Sequence, residues 1–297
     1  MSESQPQPAP DELAPAKIAA LLTTAALGRA LFVHQQLDST NDEAHRLAAA
    51  GARHGTVVLA EAQTAGRGRR GRSWVTPPGK SLALSVVLRP RLPPSRAPEL
   101  TITAALAVCE TARELGASRA LIKWPNDVES GGRKLAGLLA ELRTQGDHVS
   151  HVVLGIGLNV NLLAGDLPED LRELATSLRI ECGGEPFARH FVCARLLAHL
   201  ERWLSLHEAE GFAPVRARFR ELSSTLGRRV RAESATGAFF GEAVDLDLDG
   251  ALLVRREERD GEPSIAAGAI CRVVAGDVEH LRVVDSGAGT GTAARGV

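Results

Sequence analysis

The sequence predicts an α+β protein: a mixed β-sheet flanked by helices, followed by a small C-terminal β-barrel. Three observations predict it. From residue 31 to residue 160, apolar runs of strand length alternate with stretches of helical periodicity. Between 170 and 223 the pattern is purely helical, as in FARHFVCARLLAHLERWL. From 228 it returns to alternating strands, with an Asp249-Gly250 hairpin signal between two of them. The 297 residues, 44% of them hydrophobic, are enough for a main domain over 16–225 and a barrel over 226–285, with a disordered tail at 1–15 and a flexible one at 286–297.

Each element has its own warrant. The first fifteen residues, MSESQPQPAPDELAP, are rich in Pro, Ser and Gln and offer little to bury. Residues 16–29 read as a short apolar helix and LFVHQQL (31–37) as a strand. Thr40 and Glu43 have capping-box spacing, which opens a helix over 41–51. TVVLAEAQ (56–63) is a strand entering a Gly/Arg loop, and LALSVVLRP (82–90) is a strand stopped by prolines. A helix over 98–116 precedes strands at 119–124, 134–144 and 151–160. Helices then follow at 170–178, 187–209 and 211–223, and no internal repeat is present.

Composition bounds the function. The formal charge is −1, so the chain is not built as a whole for nucleic acid or an anionic membrane. No apolar run approaches the roughly 18 residues that would span a bilayer, and no early apolar segment resembles a signal. A soluble, cytoplasmic protein is expected. The cysteines, Cys109, Cys182, Cys193 and Cys271, form no C-x-x-C pair and read as small core thiols. Only four of the 35 basic residues are lysines, and three of them, Lys80, Lys123 and Lys134, lie between 80 and 134. That clustering points to a segment where a compact ammonium is needed in place of a planar fork.

Residues 66–72 read GRGRRGR. The string satisfies G-x-G-x-x-G, but a dinucleotide fingerprint needs a helix after it to receive the phosphate. Here Ser73-Trp74-Val75-Thr76-Pro77-Pro78-Gly79 follows, and that breaks a helix. What remains is a mobile loop whose glycines let backbone N–H groups converge and whose arginines grip phosphate or carboxylate. Such a loop suits a polyanionic small ligand such as a nucleotide, with Trp74 able to stack on a purine. The alternative is an RGG-like surface loop that binds RNA.

Two further segments carry polar groups out of strands. IKWPNDV (122–128) places Lys123, Asn126 and Asp127 at a strand end, where Pro125 forces a turn. An ordinary Asn-Asp turn is the plainer alternative. In GGRKLAGLLAEL (131–142), Gly131-Gly132 makes a tight hairpin that brings Lys134 near Lys123 and Asp127, and Gly137 marks a close approach. VLGIGLNVN (153–161) puts two more glycines in a strand before Asn159 and Asn161; these are either bulges or further close approaches.

Taken together, DSTNDEA (38–44), AEAQTAGRGRRGRSW (60–74), KSLALSVVL (80–88), IKWPNDV, GRKLAGLLAEL (132–142) and LGIGLNVN (154–161) resemble the catalytic domain of the biotin–protein ligases, in that family's order and spacing. The 228–284 region fits the family's small SH3-like C-terminal domain. The resemblance implies an enzyme that makes biotinyl-5′-AMP from biotin and ATP, with Mg²⁺. It then moves biotin onto a lysine of a biotin carboxyl carrier domain of a carboxylase. The resemblance also implies roles. Ser39, Thr40 and Gln63 would hold the ureido end of biotin, with Asn41, Gly66 and Gly155 also in the biotin pocket. Arg67 would lie along the biotin carboxylate, and Gly137 and Leu139 along the tail. Arg69, Arg70 and Arg72 would order over the adenylate, with Arg69 also in the catalytic set. Trp74 would pack on adenine, Asn159 on the nucleotide side, and Lys134 would touch carboxylate and α-phosphate. Asp127 would receive the acceptor lysine. The residues that would hold the metal are left open, and a monomer or weak dimer is expected. The nearest rival is a lipoate ligase or octanoyltransferase, disfavoured by the GRGRRG block.

Some members of that family begin with a DNA-binding helix-turn-helix. Here the resemblance starts within about 40 residues of the first methionine. No DNA partner is expected. Duplex DNA should show no sequence-specific, biotin-dependent retardation by this chain at physiological salt, measured by gel shift.

Overall fold

The computed structural model describes residues 13–234, 237–257, 268–274 and 282–283. Its centre is a seven-stranded sheet in the order β1-β2-β3-β7-β6-β5-β4. The strands are β1 (Leu31–Leu37), β2 (Val57–Gln63), β3 (Ser81–Leu88), β4 (Ala120–Lys123), β5 (Asp127–Ser130), β6 (Arg133–Gln145) and β7 (His148–Asn159). β1 and β2 are parallel, because the helix α2 (Thr40–Ala49) carries the chain back between them; every other pair is antiparallel. The sheet is therefore mixed, as expected.

Two unequal layers cover it. On one face α2 packs Ala44 and Ala48 onto Val58, Val87 and Val153 of β2, β3 and β7. On the other, α3 (Ala97–Glu114), α5 (Arg189–Glu210) and α6 (Ala213–Leu222) bury Leu82, Leu84, Leu138, Ile156 and Leu158 in the main core. The strict alternation in β3 assigns these faces: Leu82, Leu84, Val86 and Leu88 point to the large layer, and Ala83, Ser85 and Val87 to the opposite face, where Val87 meets α2.

The remaining chain forms an antiparallel sheet in the order β11-β10-β9-β8-β12. It contains β8 (Arg229–Ser234), β9 (Gly237–Leu246), β10 (Leu252–Arg256), β11 (Ile270–Val273) and β12 (Arg282–Val283). Residues 258–267 and 275–281, also expected in the barrel, lie outside the described residues, as do the tails 1–12 and 284–297.

Several boundaries differ from expectation. The first helix, α1 (Pro15–Leu21), stops eight residues short of 29, and the expected tail is ordered from Leu13, which is buried and donates its N–H to Glu61. The carboxylate of Glu61 accepts a buried bidentate pair from Arg189, at 2.7 and 3.1 Å. No strand was expected at 127–130, yet β5 forms there, because the turn after Trp124 sends the chain straight back along β4. The helix expected at 170–178 is absent. A short 3-10 turn at Glu169–Leu171 and the four-residue α4 (Leu178–Glu181) replace it, the latter capped by Ser177. All four cysteines are free; burial pushes the thiols of Cys109 and Cys193 up to about 12. No helix among the described residues is long and apolar enough to cross a membrane.

The two sheets share one hydrophobic core, which runs from Leu106 and Ile122 to Val230, Leu246 and Val254. The joint is specific. The turn between β9 and β10 presents the Gly250 carbonyl to the indole N–H of buried Trp124 at 3.0 Å, and Thr225 Oγ1 accepts the Trp124 backbone N–H, also at 3.0 Å. Gly250 has φ +86°, and a Cβ there would come 2.7 Å from Ile102 Cδ1. Gly250→Ala should lower the urea midpoint without changing its slope, a loss of about 1–2 kcal/mol from the left-handed backbone alone.

Candidate active site

The part of the sheet that α2 leaves open is paved with small residues. Register puts Ala83, Gly157, Gly137 and Asp127 in one row across β3, β7, β6 and β5, and Ser85, Gly155 and Leu139 in the next. The β7 glycines sit in an unbroken ladder with β3, so they are not bulges. They mark close approaches: a Cβ on Gly155 would come 2.4 Å from Asn41 Oδ1, and one on Gly157 2.2 Å from the indole of Trp74. Above this floor lies a cavity of about 490 Å³, a size that suits a small-molecule ligand.

One wall is the N-terminus of α2. Ser39, Thr40 and Asn41 are each 4% exposed. The capping box expected at Thr40 and Glu43 does not form. Ser39 is the N-cap, without a side-chain cap bond, and Glu43 pairs with Arg46. The Thr40 hydroxyl instead joins its backbone N–H in donating to Gln63 Oε1, at 3.1 and 2.9 Å, because Gln63 ends β2 beside the helix start. Asn41 Nδ2 donates to Glu141 Oε2 at 2.7 Å, and Asn41 Oδ1 lies 2.6 Å from Ser85 Oγ. Both amide ends are therefore fixed, with the oxygen over Gly155.

The opposite wall comes from β4, β5 and β6. Lys134 Nζ stands 3.1 Å from Asp127 Oδ2. A register slip brings them together. Asp127 pairs with Gly137 and Glu129 pairs with Lys134. Asp127 and Glu129 share a face by alternation, yet their partners are three residues apart, so an extra residue in β6 turns Lys134 onto the cavity face. The Lys134 backbone is held from outside the sheet: its N–H donates to Leu174 O and its carbonyl accepts from Thr176 N, both at 2.8 Å. Asn159, buried, donates to Thr176 O at 3.0 Å.

The arginine loop forms the roof. It is not an open loop but a small hairpin, closed by Gly68 N to Arg72 O at 2.7 Å and Trp74 N to Gly66 O at 2.8 Å. At its tip Arg70 has φ 60°, the one non-glycine with positive φ among the described residues. Arg67 donates both fork nitrogens to Asp42 at 2.6 Å and reaches Glu141 at 3.3 Å, contacts that raise its pKa. Arg69 Nη1 donates to Asn126 Oδ1 at 3.1 Å; burial, with the Arg70 charge next to it, pushes the Arg69 pKa down. The Trp74 ring lies on the floor, and Lys134 Nζ is 5.6 Å from its centroid.

The cavity thus gathers Ser39, Thr40, Asn41, Gln63, Arg67, Arg69, Arg70, Arg72, Trp74, Asp127, Lys134, Gly137, Leu139, Gly155 and Asn159. Gly66 alone of the expected residues stands apart, in a smaller depression behind the loop. A Cβ on Gly66 would come 2.5 Å from Trp74 O, so its smallness lets the hairpin close. Sequence reasoning missed Ser85, Asn126 as the partner of Arg69, Glu141, and an apolar wall made by Leu167, Leu171, Leu174 and Ala175. Glu141 was findable, since it shares the period-two face of Gly137 and Leu139. The apolar wall was not, because its leucines read as a helix.

Two family models match: the biotin/lipoate A/B protein ligase family over residues 33–159 and the biotin protein ligase C-terminal domain over 225–281. The chain is 38% identical to the biotin–[acetyl-CoA-carboxylase] ligase of Mycobacterium tuberculosis, over 86% of this chain and 90% of that one. It is 36% identical to the bifunctional ligase/repressor BirA of Bacillus subtilis, over 84% of this chain and 76% of that one. Among solved structures, the biotin protein ligase of Aquifex aeolicus in complex with biotin and ATP superposes with a TM-score of 0.71 at 27% identity. It covers 86% of this chain and all of that one.

Glu141, which holds the Asn41 amide and the Arg67 fork from behind the cavity wall, is strongly perturbed. The His45 imidazole beside it, then the Asn41 amide and the Arg67 charge, outweigh burial and hold its carboxyl down to about 2. A folded-state pKa below the ordinary 4.5 means that the carboxylate stabilises the fold above that value and that this contribution is lost as pH falls toward about 2. Urea unfolding between those limits should show a shallower pH dependence in Glu141→Gln than in the parent chain.

Proposed function

The chain belongs to the biotin protein ligase family, and we infer that it activates biotin with ATP as biotinyl-5′-AMP and passes the biotin to a lysine of a biotin carboxyl carrier domain. It is an ATP-dependent ligase. The observation that carries the reading is the two-ended cavity. A neutral hydrogen-bonding wall faces a wall bearing Lys134 and Asp127 across a glycine floor, under arginines.

The chemistry demands both ends. A carboxylate is a poor acyl donor, because its leaving group would be oxide. When its oxygen attacks the α-phosphate of ATP, a mixed anhydride forms and pyrophosphate leaves. Two anions must meet, so fixed positive charge at their junction lowers the barrier most. We assign that charge to Lys134, with Arg69, Arg70 and Arg72 toward the phosphates. Ser39, Thr40, Asn41 and Gln63 would hold the ureido end.

Two assignments change. Arg67, its fork taken by Asp42 and Glu141, would fasten the loop to α2 and β6 and would reach a carboxylate only by exchanging Asp42. Trp74, whose ring covers Gly137 and Gly157, would pack against the biotin tail rather than adenine. The adenine would then lie toward Asn159 and the Leu167–Ala175 wall. Among the described residues no group of three His, Cys, Asp or Glu side chains could hold a metal. Mg²⁺ would arrive with the substrate, carried on the ATP phosphates.

In the second half-reaction the neutral amine of the acceptor lysine attacks the anhydride carbonyl and AMP leaves. Asp127 stands on the cavity wall and would orient that amine or take its proton. Its pairing with Lys134 fixes the carboxylate on that wall.

Labelled biotin, ATP and an acceptor domain test the overall activity by transfer of label. The sharper test is Lys134→Ala. Pyrophosphate release should fall by about 10²–10³, while calorimetry shows biotin still bound through the far wall. Lys134→Arg should not restore it fully, since a planar fork does not replace a point charge in a closed site. Near-parent pyrophosphate release in Lys134→Ala would move the catalytic charge to another residue.

A further inference from the structure

Behind the Lys134 wall, away from the cavity, lies a buried carboxylate that the mechanism does not use. Glu181, the last residue of α4, has a side chain 2% exposed. Its two oxygens accept four hydrogen bonds: from Ser130 Oγ at 2.6 Å, Thr176 Oγ1 at 2.8 Å, Arg133 Nη2 at 2.8 Å and Arg119 Nη2 at 3.1 Å. Those donors give it a pKa below the ordinary value in spite of burial. Removing water from a carboxylate is costly, and here every lone pair that faces protein is satisfied.

The donors come from two places that matter together. Ser130 and Arg133 flank Gly131-Gly132, the turn that joins β5, with Asp127, to β6, with Lys134. Thr176 belongs to the segment whose backbone brackets Lys134 on both sides. That segment also carries Leu174 and Ala175 of the apolar wall. Lys134 sits immediately after the turn, in a strand whose register slips, so the ladder alone does not hold its direction. A rigid link from outside the sheet is needed to keep it aimed.

We propose that Glu181 is a positioning residue for adenylation: it pins the β5–β6 turn and the 174–176 segment to each other, and so holds Lys134 at the carboxylate–phosphate junction. The inference rests on the role given to Lys134 above. It assigns Glu181 no contact with biotin or ATP. Its influence should reach the adenylation rate and leave the biotin-binding wall, built on α2 and β2, as it is.

The experiment is a double-mutant cycle on the full chain with Glu181→Gln, Lys134→Ala and the pair. Pyrophosphate release, biotin affinity by calorimetry and thermal unfolding are measured for each. Displacing a catalytic group slightly costs of order 10–100-fold in rate, so Glu181→Gln should slow pyrophosphate release by about that much with biotin affinity unchanged. In the Lys134→Ala background the same substitution should cost little, because residues acting through one another are not additive. A purely structural role predicts the same fold-loss in both backgrounds, or a parallel loss of biotin affinity, and either result overturns the proposal. Unchanged release in Glu181→Gln with release crippled in Lys134→Ala overturns it while leaving the Lys134 reading intact. Near-parent release in Lys134→Ala removes both. Should Glu181→Gln not fold, Thr176→Val cuts one arm of the link and is read by the same criteria.

Discussion

A β-sheet has two faces to bury, and here one of them is deliberately left short of cover. The large layer of α3, α5 and α6 closes one side with leucines and isoleucines. On the other side the apolar face of α2 covers only β2, β3 and β7, in a cluster of five buried side chains of which two are its own. Beyond it the strands carry mostly glycine, alanine and serine, so few side chains fill the space. Everything else at the site follows from that shortage. The cavity is the volume those missing side chains would have occupied, and Gly157 gives its share of it to the Trp74 ring.

An open floor needs rigid walls, and the walls use different devices. At α2 the helix start is fixed by tertiary bonds, donated to Gln63 and accepted from Ser85, rather than by its own cap. At β6 a slipped register turns Lys134 inward, and bonds to Leu174 and Thr176 replace the support that a regular ladder would give. Over the top, Arg67 is gripped by two carboxylates and Arg69 by Asn126, so a chain of like charges is held against its own repulsion.

The second sheet is part of the same object. Trp124 belongs to the segment that bears Asn126 and Asp127, and its indole is bonded to the Gly250 carbonyl in the β9–β10 turn. A disturbance of that small sheet is therefore felt within a few residues of Asp127. Sharing one hydrophobic core makes this coupling mechanical, since packed interiors transmit displacement.

The sequence by itself determined the fold class, nearly all strands and long helices, and most of the polar residues that line the cavity. Alternation and periodicity are local properties, and the glycines and arginines at issue stand in short, dense blocks. It also marked Gly137 and Lys134 as special from their neighbours alone. Tertiary structure decided what no neighbour reports. The choice between bulge and floor for Gly155 and Gly157 depended on the strand beside them, the partner of Thr40 on Gln63, and the partner of Arg67 on Asp42. The segment at 170–178 has helical spacing, yet its backbone pairs with Lys134 and its end is held by Glu181. Hydrogen bonds to distant residues outweighed a local preference worth only about a few tenths of a kcal/mol per residue, and that competition is settled only when the whole chain is folded.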